Sequence, residues 1–159
     1  MDLEYIVKKC HENNVTLDII FGPSHIRQWE LLAYYLGYDK WLKWKKDVVI
    51  LVNKIAKKYN KTPFRVMDFA IYYNGITNEK IPTKPNKKMK YYRESSYYTV
   101  TLGNIVLDRL IGKSEYKDFG VELNLDNIYQ HLNKLKEDRL KFVNIQEYQK
   151  EVFGKLKKY

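Results

Sequence analysis

The spacing of apolar residues along the chain predicts short helices alternating with a few strands. Apolar positions three and four residues apart predict helices at 2–13, 24–36, 39–59, 62–73, 104–112 and 126–140, and a last one beginning at Asn144. Runs of β-branched and aromatic residues predict strands at 15–21, 90–102 and 119–123. With 159 residues, this pattern predicts an α+β fold, a helix-rich single domain with a small β-sheet or hairpin.

Local signals mark where several of these elements begin and end. Gly37 follows the second predicted helix at the position of a C-terminal cap. The segment 90–102 predicts one bent strand or a tight hairpin around Glu94-Ser95-Ser96. Asn144 and Glu147 have the spacing of a capping box, and Tyr148, Val152 and Leu156 then form the apolar side of the last helix.

Positive charge is concentrated in one third of the chain. The formal net charge is +10, and the segment 38–65 holds nine Lys or Arg residues against two Asp. The segment 79–93 holds six Lys or Arg residues against one Glu. A basic third between nearly neutral flanks indicates a surface for a polyanion.

Part of this basic third resembles the helix-turn-helix motif of DNA-binding proteins. Within 52–75, Ala56 is a small residue in the first predicted helix, where a second helix would approach closely. Asn60 lies at the turn, where a left-handed backbone favours Gly or Asn. Thr62 and Pro63 are typical of a helix start. The resemblance implies a nucleic-acid-binding protein, and double-stranded DNA is the expected partner.

The motif also implies which side chains would contact DNA. Val66, Phe69 and Ala70 would pack the second helix, 62–73, on the first. Its N-terminal end would face the bases in the major groove, where Arg65 could pair with a guanine edge. The residues expected at the bases are Lys61, Thr62, Phe64 and Arg65. The residues expected on phosphates are Lys45, Lys46, Lys54, Lys57 and Lys58.

The second basic segment resembles the wing of a winged-helix domain, which contacts the DNA backbone or the minor groove. Its candidate binding residues are Lys84, Lys87, Lys88, Lys90, Tyr91, Tyr92 and Arg93. The same surface could instead hold single-stranded DNA or RNA, with Tyr91, Tyr92, Tyr97 and Tyr98 as stacking platforms. The expected organisation is a single domain over 1–159, with a helix-turn-helix-like hairpin at 39–75, a basic loop and Tyr-rich strands at 76–102, and C-terminal helices at 104–159.

Two other functions compete with DNA binding. A small metal-dependent nuclease would use the same basic surface together with converging carboxylates and magnesium. Its candidate catalytic residues are Glu94, Asp108 and Glu122. A structural or partner-binding protein would use its lysines only for solvation. Because no catalytic triad, phosphate-cradling loop or dinucleotide fingerprint is found, we expect binding rather than catalysis.

Cysteine and apolar content bear on cofactors and location. A single Cys10 excludes an intrachain disulfide, and no His or Cys pair has zinc-ligand spacing, so we expect no metal or cofactor apart from magnesium in a nuclease. The apolar run 48–52 is too short to cross a bilayer, and no signal-like stretch opens the chain. These features predict a soluble cytoplasmic protein with no membrane partner. Helices over 126–158 could form a homodimer interface or the monomer core.

Overall fold

A computed structural model of the chain describes residues 2–84, 86–142 and 145–156, apart from four side chains at the end of the last helix. In these ranges the backbone forms six helices and five short strands. In chain order they are α1 (Leu3–Glu12), β1 (Asp18–Phe21), α2 (Ile26–Leu36), α3 (Tyr38–Lys58), β2 (Arg65–Asp68), β3 (Tyr92–Glu94), β4 (Tyr97–Tyr98), α4 (Val100–Leu110), β5 (Val121–Leu123), α5 (Ile128–Lys141) and α6 (Ile145–Leu156).

The central sheet has three strands in the order β1-β2-β5. β1 and β2 run parallel, with Asp18 opposite Arg65 and Phe21 opposite Asp68, whereas β5 is antiparallel to β2. Side chains alternate between the two faces of a strand. One face therefore carries Ile19, Phe21, Val66 and Asp68, and the other carries Asp18, Ile20, Arg65 and Met67.

Helices cover both faces of this sheet. On the first face lies α3, whose Trp44 ring meets the Phe21 ring edge-on at 4.9 Å between centroids. α1, α2 and α5 all pack against α3. On the second face lies α4, and the Arg65 guanidinium donates to the Leu110 carbonyl at its last turn. The core is continuous through the Trp29–Trp41 stack of α2 and α3, at 5.5 Å.

A buried carboxylate ties the last two helices to α2. Glu30 of α2 is fully buried and accepts two hydrogen bonds from Arg139 of α5, at 2.8 and 2.7 Å. Gln149 of α6 donates to the same carboxylate at 3.0 Å. A buried charge of this kind is tolerated because it is paired and hydrogen-bonded. The contact holds α6 against α2, and α6 forms one wall of the cavity described below.

The predicted fold class is confirmed: the protein is a helix-rich α+β domain with a small three-stranded sheet and a hairpin. α3 follows the predicted helix 39–59 closely. Gly37 caps α2 with φ +86°, and Asn60 has the left-handed φ of 51° expected at a turn. β3 and β4 form the tight hairpin that the segment 90–102 predicts.

The predicted second helix over 62–73 is wrong. Residues Arg65–Asp68 form β2, and among the described residues of 52–75 no helix follows α3. The backbone of this segment bonds to β1 on one side and to β5 on the other, both distant in sequence. This pairing satisfies the backbone polar groups and buries Val66 and Met67 in the sheet, which outweighs the local helix signal.

Other elements also differ from the predicted boundaries, among them β1, which begins at Asp18 rather than at 15. α4 begins at Val100 rather than at 104, directly after the hairpin, with Thr99 at its N-cap position. α6 begins at Ile145, but the predicted cap at Asn144 lies outside the described residues, as do the side chains of Val152 and Leu156.

Candidate nucleic-acid interface

Lys45 is not a phosphate contact, because its side chain is fully buried between α3 and the sheet. Its ammonium group donates to both carboxylate oxygens of Asp68, at 2.6 and 2.5 Å, and to the Ala70 carbonyl at 3.0 Å. His131 of α5 donates from Nε2 to the same carboxylate at 2.8 Å. Burial lowers the pKa of Lys45, and the Asp68 carboxylate opposes that shift. The cluster joins α3, β2 and α5.

Arg65, the predicted base-reading residue, lies on β2 and is engaged within the fold. Its guanidinium forms a two-pronged ion pair with Asp18 of β1, at 2.7 and 2.8 Å. The same pair holds the pKa of Asp18 below its usual value, because the Arg65 donors favour the ionised carboxylate. Because these donors are used, and because Arg65 lies on a strand rather than on a recognition helix, its side chain is not placed to read a base edge.

The other residues expected at the bases lie in the turn between α3 and β2. Phe64 is half-buried and stacks on His11 of α1, with ring centroids 4.1 Å apart. The Lys61 ammonium donates to the His11 carbonyl and to the Asn14 side chain, at 2.5 and 2.6 Å. Thr62 is exposed beside them. The turn therefore fastens α1 to the sheet rather than presenting a recognition helix.

The remaining α3 lysines stay at the surface. Lys54, Lys57 and Lys58 are exposed, and in the described chain none of the three is ion-paired. Lys46 is half-buried, and its ammonium lies 5.6 Å from the centre of the Tyr129 ring. Lys54, Lys57 and Lys58 form a small basic face near the C-terminal end of α3, whereas Lys46 lies near the middle of the helix.

A denser group of cations lies on the segment 80–93, which we call the Lys loop. Its six cations, all exposed, are Lys80, Lys84, Lys87, Lys88, Lys90 and Arg93. Within the described ranges none of them is ion-paired with a carboxylate. Six cations without an ion pair in fourteen residues give this loop a positive potential that attracts a polyanion.

The two ends of the Lys loop are fastened together by Glu79. Its carboxylate accepts hydrogen bonds from the backbone amides of Lys90 and Tyr91, at 2.6 and 2.8 Å. Its carbonyl accepts from Nε2 of the buried His25, whose Nδ1 in turn accepts from the Arg27 amide. Burial lowers the pKa of His25, consistent with a neutral ring in this arrangement. The loop therefore projects from a fixed base.

Only part of the expected aromatic platform is exposed. Tyr91 and Tyr92 are buried, and the Tyr92 hydroxyl donates to the Pro23 carbonyl at 2.9 Å. Neither ring is available for stacking on a base. Tyr97, by contrast, is 67% exposed at the tip of the hairpin, close in sequence to Arg93. Tyr98 is half-exposed, and its ring lies over Gly22 and Gly103.

A cavity of about 500 Å³ opens between the Lys loop, the hairpin and α6. Apolar side chains of the loop, Ile81, Pro82 and Met89, form one wall. Charged residues that line the cavity are Arg27, Arg93, Glu94, Glu147 and Glu151. Arg27 and Glu151 form a two-pronged ion pair at 2.9 and 2.7 Å, so part of this charge is neutralised within the wall.

The carboxylates of the nuclease alternative lie on three different elements. Glu94 is on β3, where it accepts a hydrogen bond from Ser96 at 2.6 Å, Asp108 is on α4 and Glu122 is on β5. Over the part of the chain that the structure describes, no three His, Cys, Asp or Glu side chains are grouped so as to hold a metal ion.

Within that part, too, no helix combines the length and apolarity needed to cross a membrane.

The main feature that sequence reasoning missed is the buried Lys45–Asp68–His131 cluster. Lys45 lies between Leu42 and Val48–Val49 on the apolar side of α3, and this position was the available signal for its burial.

Comparison of the chain with protein-family models, with curated proteins and with solved structures finds no match.

Proposed function

We propose that the protein binds nucleic acid through the Lys loop, which contacts phosphates rather than reading base edges. The observation that carries this proposal is the set of six exposed cations, unpaired in the described chain, on a loop whose base is fixed by Glu79. Lysine ammonium groups act as point charges on phosphates, and their binding releases condensed counterions. A fixed base keeps the entropy cost of positioning these charges low.

A single strand fits this surface better than a duplex does. The six cations of the Lys loop lie on a loop and on β3 rather than on a helix, and the segment 62–73 contributes β2 to the sheet instead of a recognition helix. The exposed ring of Tyr97 offers a stacking platform near Arg93, and stacking on aromatic rings is typical of single-strand binding. The cavity behind the Lys loop has a volume within the range of small-molecule pockets. It borders the β3–β4 hairpin, which carries both Arg93 and Tyr97.

Fluorescence anisotropy with a labelled single-stranded oligonucleotide and its duplex tests the proposal. We expect the triple variant K84A/K87A/K88A to weaken binding on the order of tenfold at moderate salt, for all sequences alike. The triple variant K54A/K57A/K58A is the matched control, because it removes the same charge from the exposed face of α3. The control should lose far less affinity.

Three outcomes would contradict the proposal. One is the absence of binding to either oligonucleotide at low salt. Another is equal loss in the two triple variants, which would mean that net charge rather than the Lys loop attracts the nucleic acid. The third is an R65A variant that folds like the wild type but loses a preference for particular bases. Arg65 is bound to Asp18 in the sheet, so the proposal expects no effect of this variant on sequence preference.

A further inference from the structure

The cavity behind the Lys loop is bounded by side chains that the fold holds in place. His25 and Tyr148 line it, both are buried, and their rings meet edge-on at 5.4 Å between centroids. His25 donates from Nε2 to the carbonyl of Glu79, the residue whose carboxylate fastens the two ends of the Lys loop. The volume of about 500 Å³ is typical of a site for a small organic group. The cavity is therefore preformed.

The apolar wall of this cavity suits a flat aromatic ring. It consists of Ile81, Pro82 and Met89, all from the Lys loop. Proteins that extract a nucleobase from a strand pack its faces against apolar and aromatic side chains, and a methionine thioether makes favourable contacts with aromatic rings. A base of a single strand is also easily splayed out, because no partner strand holds it. The cavity thus offers a place for a base of a strand bound at the Lys loop.

Charges of both signs that lack an ion pair line the same cavity. Arg93 belongs to the hairpin and Glu147 to α6, and neither is ion-paired within the described part of the chain. Glu94 already accepts a hydrogen bond from Ser96 at 2.6 Å, so Glu147 is the carboxylate with more acceptor capacity left for a ligand. A guanidinium and a carboxylate on two walls present donors and acceptors to one ligand.

We propose that the cavity binds a guanine base, either of a strand held by the Lys loop or of a free guanine nucleotide. Guanine presents two neighbouring acceptors, O6 and N7, which match the fork of donors on Arg93. On the adjoining edge it presents two neighbouring donors, N1–H and the 2-amino group, which match the two carboxylate oxygens of Glu147. For a base within a strand, the inference rests on the nucleic-acid binding proposed above.

The other bases lack this combination of edges. Thymine and uracil place N3–H between two carbonyl oxygens, which a carboxylate repels. Adenine and cytosine present a single exocyclic amino group beside a ring acceptor, so they offer one donor to the carboxylate instead of two. The Lys loop holds any sequence through its phosphates, and the cavity adds a preference for one base.

Fluorescence anisotropy with labelled strands of about ten thymidines tests the inference. One strand is pure thymidine, and three others carry a central guanine, adenine or cytosine. We expect the guanine strand to bind the wild type on the order of tenfold more tightly than the pure thymidine strand. E147Q should bring the ratio of these two affinities close to one, because glutamine replaces one acceptor with a donor. R93K should also lower the ratio, because an ammonium lacks the fork.

E137Q is the matched control for E147Q. Glu137 is an exposed carboxylate on α5 that does not line this cavity, so its loss should leave the guanine-to-thymidine ratio at the wild-type value. A guanine strand that binds no more tightly than the other three would overturn the inference while leaving phosphate binding by the Lys loop intact. A guanine preference that survives in both E147Q and R93K would overturn it as well.

Titration calorimetry with free nucleotides separates the cavity from the Lys loop. If no strand binds, the proposed function fails, and guanosine monophosphate is then compared with uridine monophosphate. Binding of the guanine nucleotide alone, lost in E147Q, would support the guanine site without the strand. Equal binding of the two nucleotides, or no binding of either, would overturn it.

Discussion

Lys45 donates hydrogen bonds to both carboxylate oxygens of Asp68, at 2.6 and 2.5 Å, and neither side chain has any exposed surface. The ammonium also lies 4.3 Å from the centre of the Trp41 ring, which adds a cation–π contact. One charge of the basic third is therefore part of the core, where it joins α3 to β2. Charge counted from the sequence overstates the charge available to a partner.

Removing this lysine should destabilise the fold strongly. K45M keeps most of the volume but leaves the Asp68 carboxylate buried with, among the described residues, only His131 and the Ala70 backbone amide as partners. Breaking one side of a buried ion pair costs about 3–5 kcal/mol. K43A is the control, since Lys43 pairs with Asp47 at the surface, where such pairs contribute about 0–1 kcal/mol. Urea unfolding measures both, and equal costs would contradict the role of the buried pair.

A glycine next to β5 should be intolerant of any side chain. Gly120 has φ +92°, and an added Cβ would lie 2.5 Å from the buried ring of Phe69. G120A should therefore lose about 1–2 kcal/mol through backbone strain and about 1–3 kcal/mol more through overpacking.

Gly112 provides a matched control for this substitution. Its φ is +74°, but nothing lies within 4 Å of an added Cβ, so G112A carries only the backbone strain. Thermal or urea unfolding compares the two variants. A loss in G120A no larger than that in G112A would show that the Phe69 contact does not constrain this position.

Stability should fall at alkaline pH as two tyrosines lose their protons. Burial raises the pKa of Tyr38 to about 12, and burial together with the hydrogen bond to Asp118 raises the pKa of Tyr73 to about 12. The folded state thus holds these protons more tightly than the unfolded chain, whose tyrosines titrate near pH 10. Their stabilising effect is complete below pH 10 and is lost as the pH rises toward about 12.

Y73F isolates one of these contributions. The variant lacks the hydroxyl, so its free energy of unfolding should decline less steeply than that of the wild type above pH 10. It should also be less stable at neutral pH, since the bond to Asp118 is gone. Urea unfolding at a series of pH values measures the slope, and parallel curves for the two proteins would contradict the assignment.

Much of the fold follows from local sequence signals. The apolar spacing of α3, the β-branched run of β1, the cap at Gly37 and the left-handed turn at Asn60 all have the predicted structure. In each case the deciding interactions lie within a few residues in the sequence. The physical reason is that helix periodicity, caps and turns act locally.

The segment 62–73 shows where local signals fail. Val66, Phe69 and Ala70 have helical spacing and are all buried, so the predicted burial is correct although the element is a strand followed by an irregular turn. Its conformation depends on β1 and β5, some 47 residues before it and 55 after it, by the pairings Asp18–Arg65 and Met67–Glu122. Nothing local in the sequence reports such pairings.

The candidate site was only partly predictable for the same reason. The Lys loop follows from composition, since six cations against one Glu in the Pro-containing segment 79–93 indicate an exposed surface. The sequence predicts a phosphate contact for Lys45 and a base contact for Arg65, but their partners Asp68 and Asp18 come from other elements. The burial of Tyr91 and Tyr92 likewise depends on the packing of distant elements.

The salt dependence of binding tests the role of the Lys loop most directly. For a single strand, each phosphate contact contributes about 0.7 to the slope of log affinity against log salt concentration. K84A/K87A/K88A should therefore lower the magnitude of that slope by about 2, while K54A/K57A/K58A should leave it close to the wild-type value. Equal slopes for the wild type and the loop variant would contradict the claim that the Lys loop binds the phosphates.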